Sequence, residues 1–189
     1  MSTVILFHHA LGLTLGFIDF AERLSEAGHL VHTPDLYDGE VFAELDRGVA
    51  HAEQLSLQDV TDLSDEAVRD LPSDVVYAGF SFGALPAQYL AQTRPGAKGA
   101  LLYHGAVPSS LLGGPWPPEV PLQIHSAEAD PYSEIDVLRE LADEADDGEL
   151  FLYPGASHLF ADSSYDDHDE QAATLLFDRT IAFLERITR

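Results

Sequence analysis

Ser81 stands at the centre of Gly79-Phe80-Ser81-Phe82-Gly83, between an apolar run at residues 75–78 and a helix-like segment at residues 84–91. A serine on a sharp strand-to-helix turn presents its hydroxyl clear of its own backbone, the arrangement of a nucleophile elbow. The glycines have a steric reason, because a side chain at either place would collide with the neighbouring strand or helix as the chain reverses. Serine alone is a poor nucleophile near neutral pH. It needs an imidazole to accept its proton and a carboxylate to hold that imidazole's tautomer. Both follow in the order this chemistry uses on α/β sheets: Asp130 in Ser126-Ala127-Glu128-Ala129-Asp130-Pro131, then His158 in Pro154-Gly155-Ala156-Ser157-His158-Leu159-Phe160. Glu128 is the alternative acid. The five-residue match alone should arise by chance in about one chain in sixteen of this length, taking Gly and Ser each at about 7% of residues. Asp130 before Pro131 also fits a turn former or helix N-cap, and His158 is one of nine histidines. Three compatible residues in order, each just past a strand-like run, are harder to explain by accident.

The elements that must position these residues are legible in the apolar pattern. Strands are expected at residues 4–7, 29–33, 75–78, 99–104, 120–125 and 150–153. Helices are expected at residues 17–27, ending at Gly28, and at 57–71, 84–91, 135–145 and 172–187. Residues 35–56 read as less regular, and Leu112-Gly113-Gly114-Pro115-Trp116-Pro117-Pro118 as a loop. The acidic stretch 162–170 reads as a solvated loop. Short continuous apolar strands separated by helices imply a mostly parallel sheet of about six strands, covered on both faces, in an α/β fold without a separate cap domain.

A chain of 189 residues with 46% hydrophobic content suits a single domain. No apolar run approaches a membrane span, and Met1-Ser2-Thr3 leads straight into Val4 without a basic leader, so a soluble cytoplasmic protein is expected. The absence of cysteine excludes disulfides, thiolate metal sites and a thiol nucleophile. With 33 Asp and Glu against 9 Lys and Arg, the formal charge of −24 repels phosphate backbones and anionic membranes, so neither nucleic acid nor membrane is an expected partner. Two readings of that acidity stand: a genome favouring Arg, Ala and Asp over Lys, and adaptation to high salt, which screens self-repulsion. A monomer and a dimer both fit.

The chain also resembles the dienelactone hydrolase family of α/β-hydrolases over nearly its whole length. The resemblance rests on Pro34-Asp35-Leu36-Tyr37, on residues 79–84, on the Asp130 loop and on Gly155-Ala156-Ser157-His158-Leu159-Phe160. It implies that Asp35 is structural. Two departures stand out. Well-known members carry cysteine at the nucleophile position and, just after the first strand, a glutamate that helps switch the thiol on. Here those places hold Ser81 and His9. A serine triad has no thiolate to manage, so the two departures agree, and they argue against dienelactone itself as substrate.

The oxyanion hole is expected from the backbone N–H of Phe82 and that of Ala10. His8 and His9, adjacent on a strand, point to opposite sides and are not expected to share a metal ion. Neither metal nor cofactor is expected. Pocket walls are expected from His9, Leu11, Tyr37, Trp116 and Phe160, with no Lys or Arg near any site loop, which suits a small, largely apolar ester, thioester or lactone. A non-catalytic scaffold binding a small ligand or partner is the alternative, as is transfer of the acyl group to an acceptor other than water.

Overall fold

The computed structural model describes residues 1–188. Its elements run β1 (Thr3–Phe7), α1 (Leu15–Glu26), β2 (Leu30–His32), α2 (Leu45–Ala52), α3 (Leu57–Val68), β3 (Val76–Phe80), α4 (Ala84–Thr93), β4 (Gly99–Tyr103), β5 (Leu122–Ala127), α5 (Ile135–Glu144), β6 (Gly148–Tyr153) and α6 (Glu170–Ile187). All strand pairs are parallel, and the sheet order is β2-β1-β3-β4-β5-β6. The chain first builds outward from β1 to β2, then returns to β3 and builds the other way. The reversal falls between β1 and β3. A crevice opens at such a switch point beyond the strands' carboxyl ends. None of the described helices is long and apolar enough to cross a membrane.

Side-chain alternation along the strands divides the core in two. Ile5, Phe7, Tyr77 and Leu102 face α3, α4 and α5, where Val68, Ala87, Leu90, Leu138 and Leu141 cover them. Val4, Leu6, Val76, Ala78 and Leu101 face α1 and α6, under Phe17, Phe20, Leu24, Leu176 and Phe183. Both faces being apolar, the central strands read as unbroken hydrophobic runs. The helix ends obey local chemistry. Thr14 caps α1 through the Phe17 N–H, Ser56 and Asp59 form a reciprocal capping box on α3, and Asp169 accepts from the Gln171 and Ala172 amides at the start of α6.

The structure departs from the sequence expectation in two places. Residues 45–52, expected to be irregular, form α2, whose Leu45 and Val49 pack with Leu11 and Leu159. Within the supposedly solvated acidic stretch, Asp162 is buried, because it meets polar partners from the loop after β1. The elbow has the expected form: β3 runs into a single 3-10 turn at Ser81–Gly83 and then α4, with Ser81 itself in left-handed backbone at φ 52°. A Cβ on Gly79 would overlap the Gly83 carbonyl, and one on Gly83 would overlap the carbonyls of Phe7 and His8.

Three histidines lie in this core unprotonated. His8 donates from Nδ1 to the His9 carbonyl at 2.8 Å and accepts the Leu36 N–H at Nε2 at 3.1 Å, so one neutral tautomer satisfies both. Burial pushes its pKa down to about 4. His125 sits between the Tyr153 hydroxyl at 2.7 Å and the Gln123 side-chain oxygen at 2.8 Å, and burial lowers it to about 3. His104 is also buried and held well below the ordinary imidazole value, first by desolvation and then by the neighbouring His158, His9 and His125.

Two measurements test this architecture. Gly83→Ala forces backbone against backbone and should destabilise by about 3 kcal/mol, lowering Tm by roughly 6–12 °C in calorimetry. Gly28→Ala, at φ 93° with open space around it, should cost only about 1 kcal/mol of backbone strain. The histidines give a pH signature. Their folded pKa values lie below the unfolded value near 6.5, so the unfolded state binds more protons and stability must be lost as pH falls. Over pH 7.5 to 5.5 His8 and His125 each contribute about 1.4 kcal/mol, and His104 adds to the loss in the same direction. Urea melts in molar KCl, which screens the acidic surface, should reveal this loss; a flat profile would refute the neutral assignments.

Candidate active site

The loops after β3, β5 and β6 meet above the sheet. Ser81 Oγ lies 2.6 Å from His158 Nε2, and His158 Nδ1 lies 2.8 Å from Asp130 Oδ2. The register explains the meeting: β3, β4, β5 and β6 are consecutive neighbours, and all run in one direction. Ser81 is partly exposed, whereas His158 and Asp130 are buried. The Asp130 carboxylate has further support. Its Oδ1 accepts the Tyr132 N–H at 2.9 Å, and the Ser133 hydroxyl lies 3.1 Å from Oδ2 and 3.2 Å from the His104 carbonyl. An aspartate anchored at both oxygens holds the imidazole with Nδ1 protonated and leaves Nε2 to accept from Ser81. Glu128, the alternative acid, is exposed, and its amide is bonded to the Tyr153 carbonyl.

A cavity of about 320 Å³ opens on Ser81 and His158. Ala10 and Phe82 line it beside Ser81, the places expected of oxyanion donors. The loop bearing Ala10 is fixed from two sides. The helix α2 approaches so closely that a Cβ on Gly48 would overlap the Ala10 carbonyl, and the Phe42 amide donates to the Leu11 carbonyl at 2.9 Å. The remaining walls are Val49, Ala52 and Glu53 from α2 and its end, Leu85 from α4, residues 104–107 after β4, and Tyr132. Among the described residues no lysine or arginine lines the cavity. A larger, open depression of about 700 Å³ beside residues 154–157 and the start of α6 contains none of the three residues of the Ser–His–Asp chain.

The five side chains expected as pocket walls lie elsewhere, each for a packing reason. His9 turns away to Asp162, with Nε2 2.7 Å from Oδ2, while its Nδ1 accepts the Leu11 N–H. Asp162 also accepts from the Thr14 hydroxyl and from Ser164; burial opposes its ionisation, but these hydrogen bonds and His9 hold the carboxyl well below the usual range. Leu11 is buried with Leu45 and Leu159. Tyr37 lies beneath Phe82, ring centroids 5.3 Å apart, and against His8 at 4.7 Å. Trp116 fills the α4–α5 side of the core and donates its indole N–H to the Val120 carbonyl at 2.8 Å. Phe160 packs edge-on against His104 and beside Tyr153. His8 and His9 do point to different partners, and no cluster of three or more metal-ligating side chains occurs among the described residues. Asp35 accepts the amides of Tyr37 and Gly39, so it ties the loop after β2.

Sequence reasoning missed the actual walls. Leu45, Val49 and Ala52 recur at helical spacing, which was the available signal for α2, but Gly48 in its middle and an uncapped start weakened it. Tyr132, whose ring lies 4.7 Å from that of His158, carried no signal beyond proximity to Asp130.

Solved structures similar to the chain include a dienelactone hydrolase-like promiscuous phosphotriesterase from metagenomic libraries, at 19% identity and TM-score 0.78, covering 99% of this chain and 87% of that one. The ydeN gene product of B. subtilis is similar at 14% identity and TM-score 0.67, covering 98% and 100%. A Thermogutta terrifontis esterase phosphonylated by sarin is similar at 18% identity and TM-score 0.66, covering 98% and 84%. No curated protein matches the chain in sequence. These likenesses establish the α/β-hydrolase fold. The model of the dienelactone hydrolase family matches residues 1–188, and the chain belongs to that family.

Proposed function

We propose that the protein is a serine hydrolase of small, uncharged carboxylic esters, thioesters or lactones, working through an acyl-enzyme. The observation that carries this reading is the unbroken hydrogen-bond chain from Ser81 through His158 to Asp130 at the floor of an open cavity. Ser81 Oγ attacks the substrate carbonyl as its proton passes to His158 Nε2. The Ala10 and Phe82 amides stabilise the oxyanion, each contributing about 3 kcal/mol. Collapse of the tetrahedral intermediate expels the alcohol or thiol, which takes the proton back from His158. Water, activated by the same imidazole, then releases the acid and restores Ser81. Asp130 stays ionised throughout and stabilises the imidazolium.

Charge narrows the substrate class. Glu53 stands in the cavity wall without a balancing cation, inside a protein of formal charge −24. At an effective dielectric of roughly 20–80, a like charge about 8 Å away costs about 0.5–2 kcal/mol. A substrate carrying a carboxylate is therefore disfavoured. Organophosphonates suit the cavity as probes, since the Thermogutta terrifontis esterase is phosphonylated by sarin.

A fluorophosphonate probe should label Ser81 in the folded wild-type protein, and Ser81→Ala should lose labelling and about 10⁴-fold or more in kcat on p-nitrophenyl acetate. Failure of the wild type to label would sink the serine mechanism. Among esters of matched size, a neutral acyl chain should exceed a carboxylate-terminated one by about tenfold in kcat/KM, and Glu53→Gln should narrow that gap.

A further inference from the structure

Among the described residues two buried side chains have polar atoms without a hydrogen-bond partner, Tyr37 and His104, and of these His104 lines the cavity that opens on Ser81. Neither ring nitrogen has a hydrogen-bond partner, although the residue is only 1% exposed. Its backbone is unusual too, with φ 64°, one of three non-glycine residues in left-handed conformation among those described; Ser81 is another. The other buried imidazoles are served: His8 by Leu36 and His9, His9 by Asp162 and Leu11, His125 by Tyr153 and Gln123, His158 by Asp130 and Ser81.

Two costs therefore meet at one residue, an unpaired polar ring and a strained backbone. Residues that carry such costs cluster where a ligand repays them. His104 lies in such a place. It forms part of the wall of the cavity that opens on Ser81, its ring centroid is 6.0 Å from that of His158, and Phe160 and Phe80 flank it at 4.6 and 5.7 Å. The wall around it is apolar, made of Gly105, Ala106, Val107 and Leu85. A phenylalanine would fill the same space without a polar atom to desolvate.

Building on the serine hydrolase reading, we propose that His104 is a substrate-binding residue that selects esters bearing a hydroxyl group near the reacting carbonyl. A neutral imidazole offers one N–H donor and one lone pair, and a hydroxyl, which both donates and accepts, can pair with either nitrogen. A carboxylate is disfavoured by Glu53 in the same wall. Both ring nitrogens are buried in the free protein, so binding includes a turn of the ring about its Cβ–Cγ bond toward the substrate. In the free enzyme burial keeps the ring uncharged.

The test compares p-nitrophenyl butyrate with its 2-hydroxy and 3-hydroxy derivatives, and butyrate esters of ethanol with those of ethylene glycol, using the full-length enzyme. Wild type should favour at least one hydroxylated member over its plain partner by about tenfold in kcat/KM, the net gain of about one neutral hydrogen bond. His104→Phe, which removes both ring nitrogens, should abolish that preference. His104→Asn, which tolerates φ > 0 and keeps a donor and an acceptor, should retain a preference in the same direction. No preference in wild type, or a preference unchanged in His104→Phe, overturns the role of His104 while leaving the serine hydrolase reading intact. Absence of any turnover or fluorophosphonate labelling in wild type overturns that reading instead. Should His104→Phe fail to fold, long-range ¹H–¹⁵N spectra of wild type decide: the His104 ring nitrogens, assigned by their loss in His104→Asn, should shift when 2-hydroxybutyramide or 3-hydroxybutyramide is added, and unmoved signals with both amides overturn the proposal.

Discussion

A single 2.6 Å hydrogen bond, from Ser81 to His158, joins residues 77 positions apart in the chain, and the rest of the structure can be read as what that distance demands. Ser81 leaves the end of β3 and His158 follows β6, three strand positions across the sheet. Parallel strands held by right-handed crossovers bring all their carboxyl ends to one edge, so the loops that carry Ser81, Asp130 and His158 each start from a fixed base. The remaining adjustment is local. Left-handed backbone at Ser81 lifts the hydroxyl toward the imidazole, and Gly79 and Gly83 permit the turn because neither has a Cβ to strike the neighbouring carbonyls. Asp130, bonded to the Tyr132 amide, then fixes the imidazole from behind.

The same edge carries an unusual density of buried imidazoles, and their partners explain how a polar layer survives inside an apolar core. Each of His8, His9, His125 and His158 has one partner for each nitrogen, drawn from backbone, carboxylate, phenol or amide. A fully paired network rigidifies, whereas a half-paired one is costly. The His9–Asp162 pair has a mechanical consequence. It ties the loop that carries Ala10 to the loop that carries His158, since Asp162 lies four residues beyond His158 and also takes the Thr14 hydroxyl. Oxyanion donor and proposed general base are thereby held in one frame.

The strands, the major helices and the Ser81, Asp130 and His158 loops were legible because each rests on a local signal: apolar runs, glycines at a tight reversal, polar residues just past a strand. The cavity walls were not legible, because they depend on side-chain direction and on packing between distant segments. Tyr37 and Trp116 illustrate the difference. Both sit in loops near the right edge, and both are large enough to find a better home in the core, Tyr37 under Phe82 and Trp116 bonded to Val120. The helix α2 was obscured by Gly48, a poor helix former that tertiary packing nevertheless requires, because the helix must lie against the Ala10 carbonyl. Asp162 was obscured by its neighbours: four further carboxylates lie between residues 163 and 170, and composition alone cannot show that one member of such a stretch turns inward.

The exchange of cysteine for serine and of glutamate for histidine then acquires a physical logic. In the resemblance to better-known members, a carboxylate after β1 serves a thiol. Here that position is His9, and the carboxylate it meets is Asp162, which hydrogen bonds hold ionised away from Ser81. An anion beside a serine nucleophile would oppose the oxyanion that develops in acyl transfer. Moving the negative charge to the far side of His9 removes that opposition and turns a chemical group into a structural one. A cavity that no lysine or arginine lines among the described residues suits the neutral acyl groups proposed for it, and His104, unpartnered in its wall, is where a neutral substrate with a hydroxyl would find a partner.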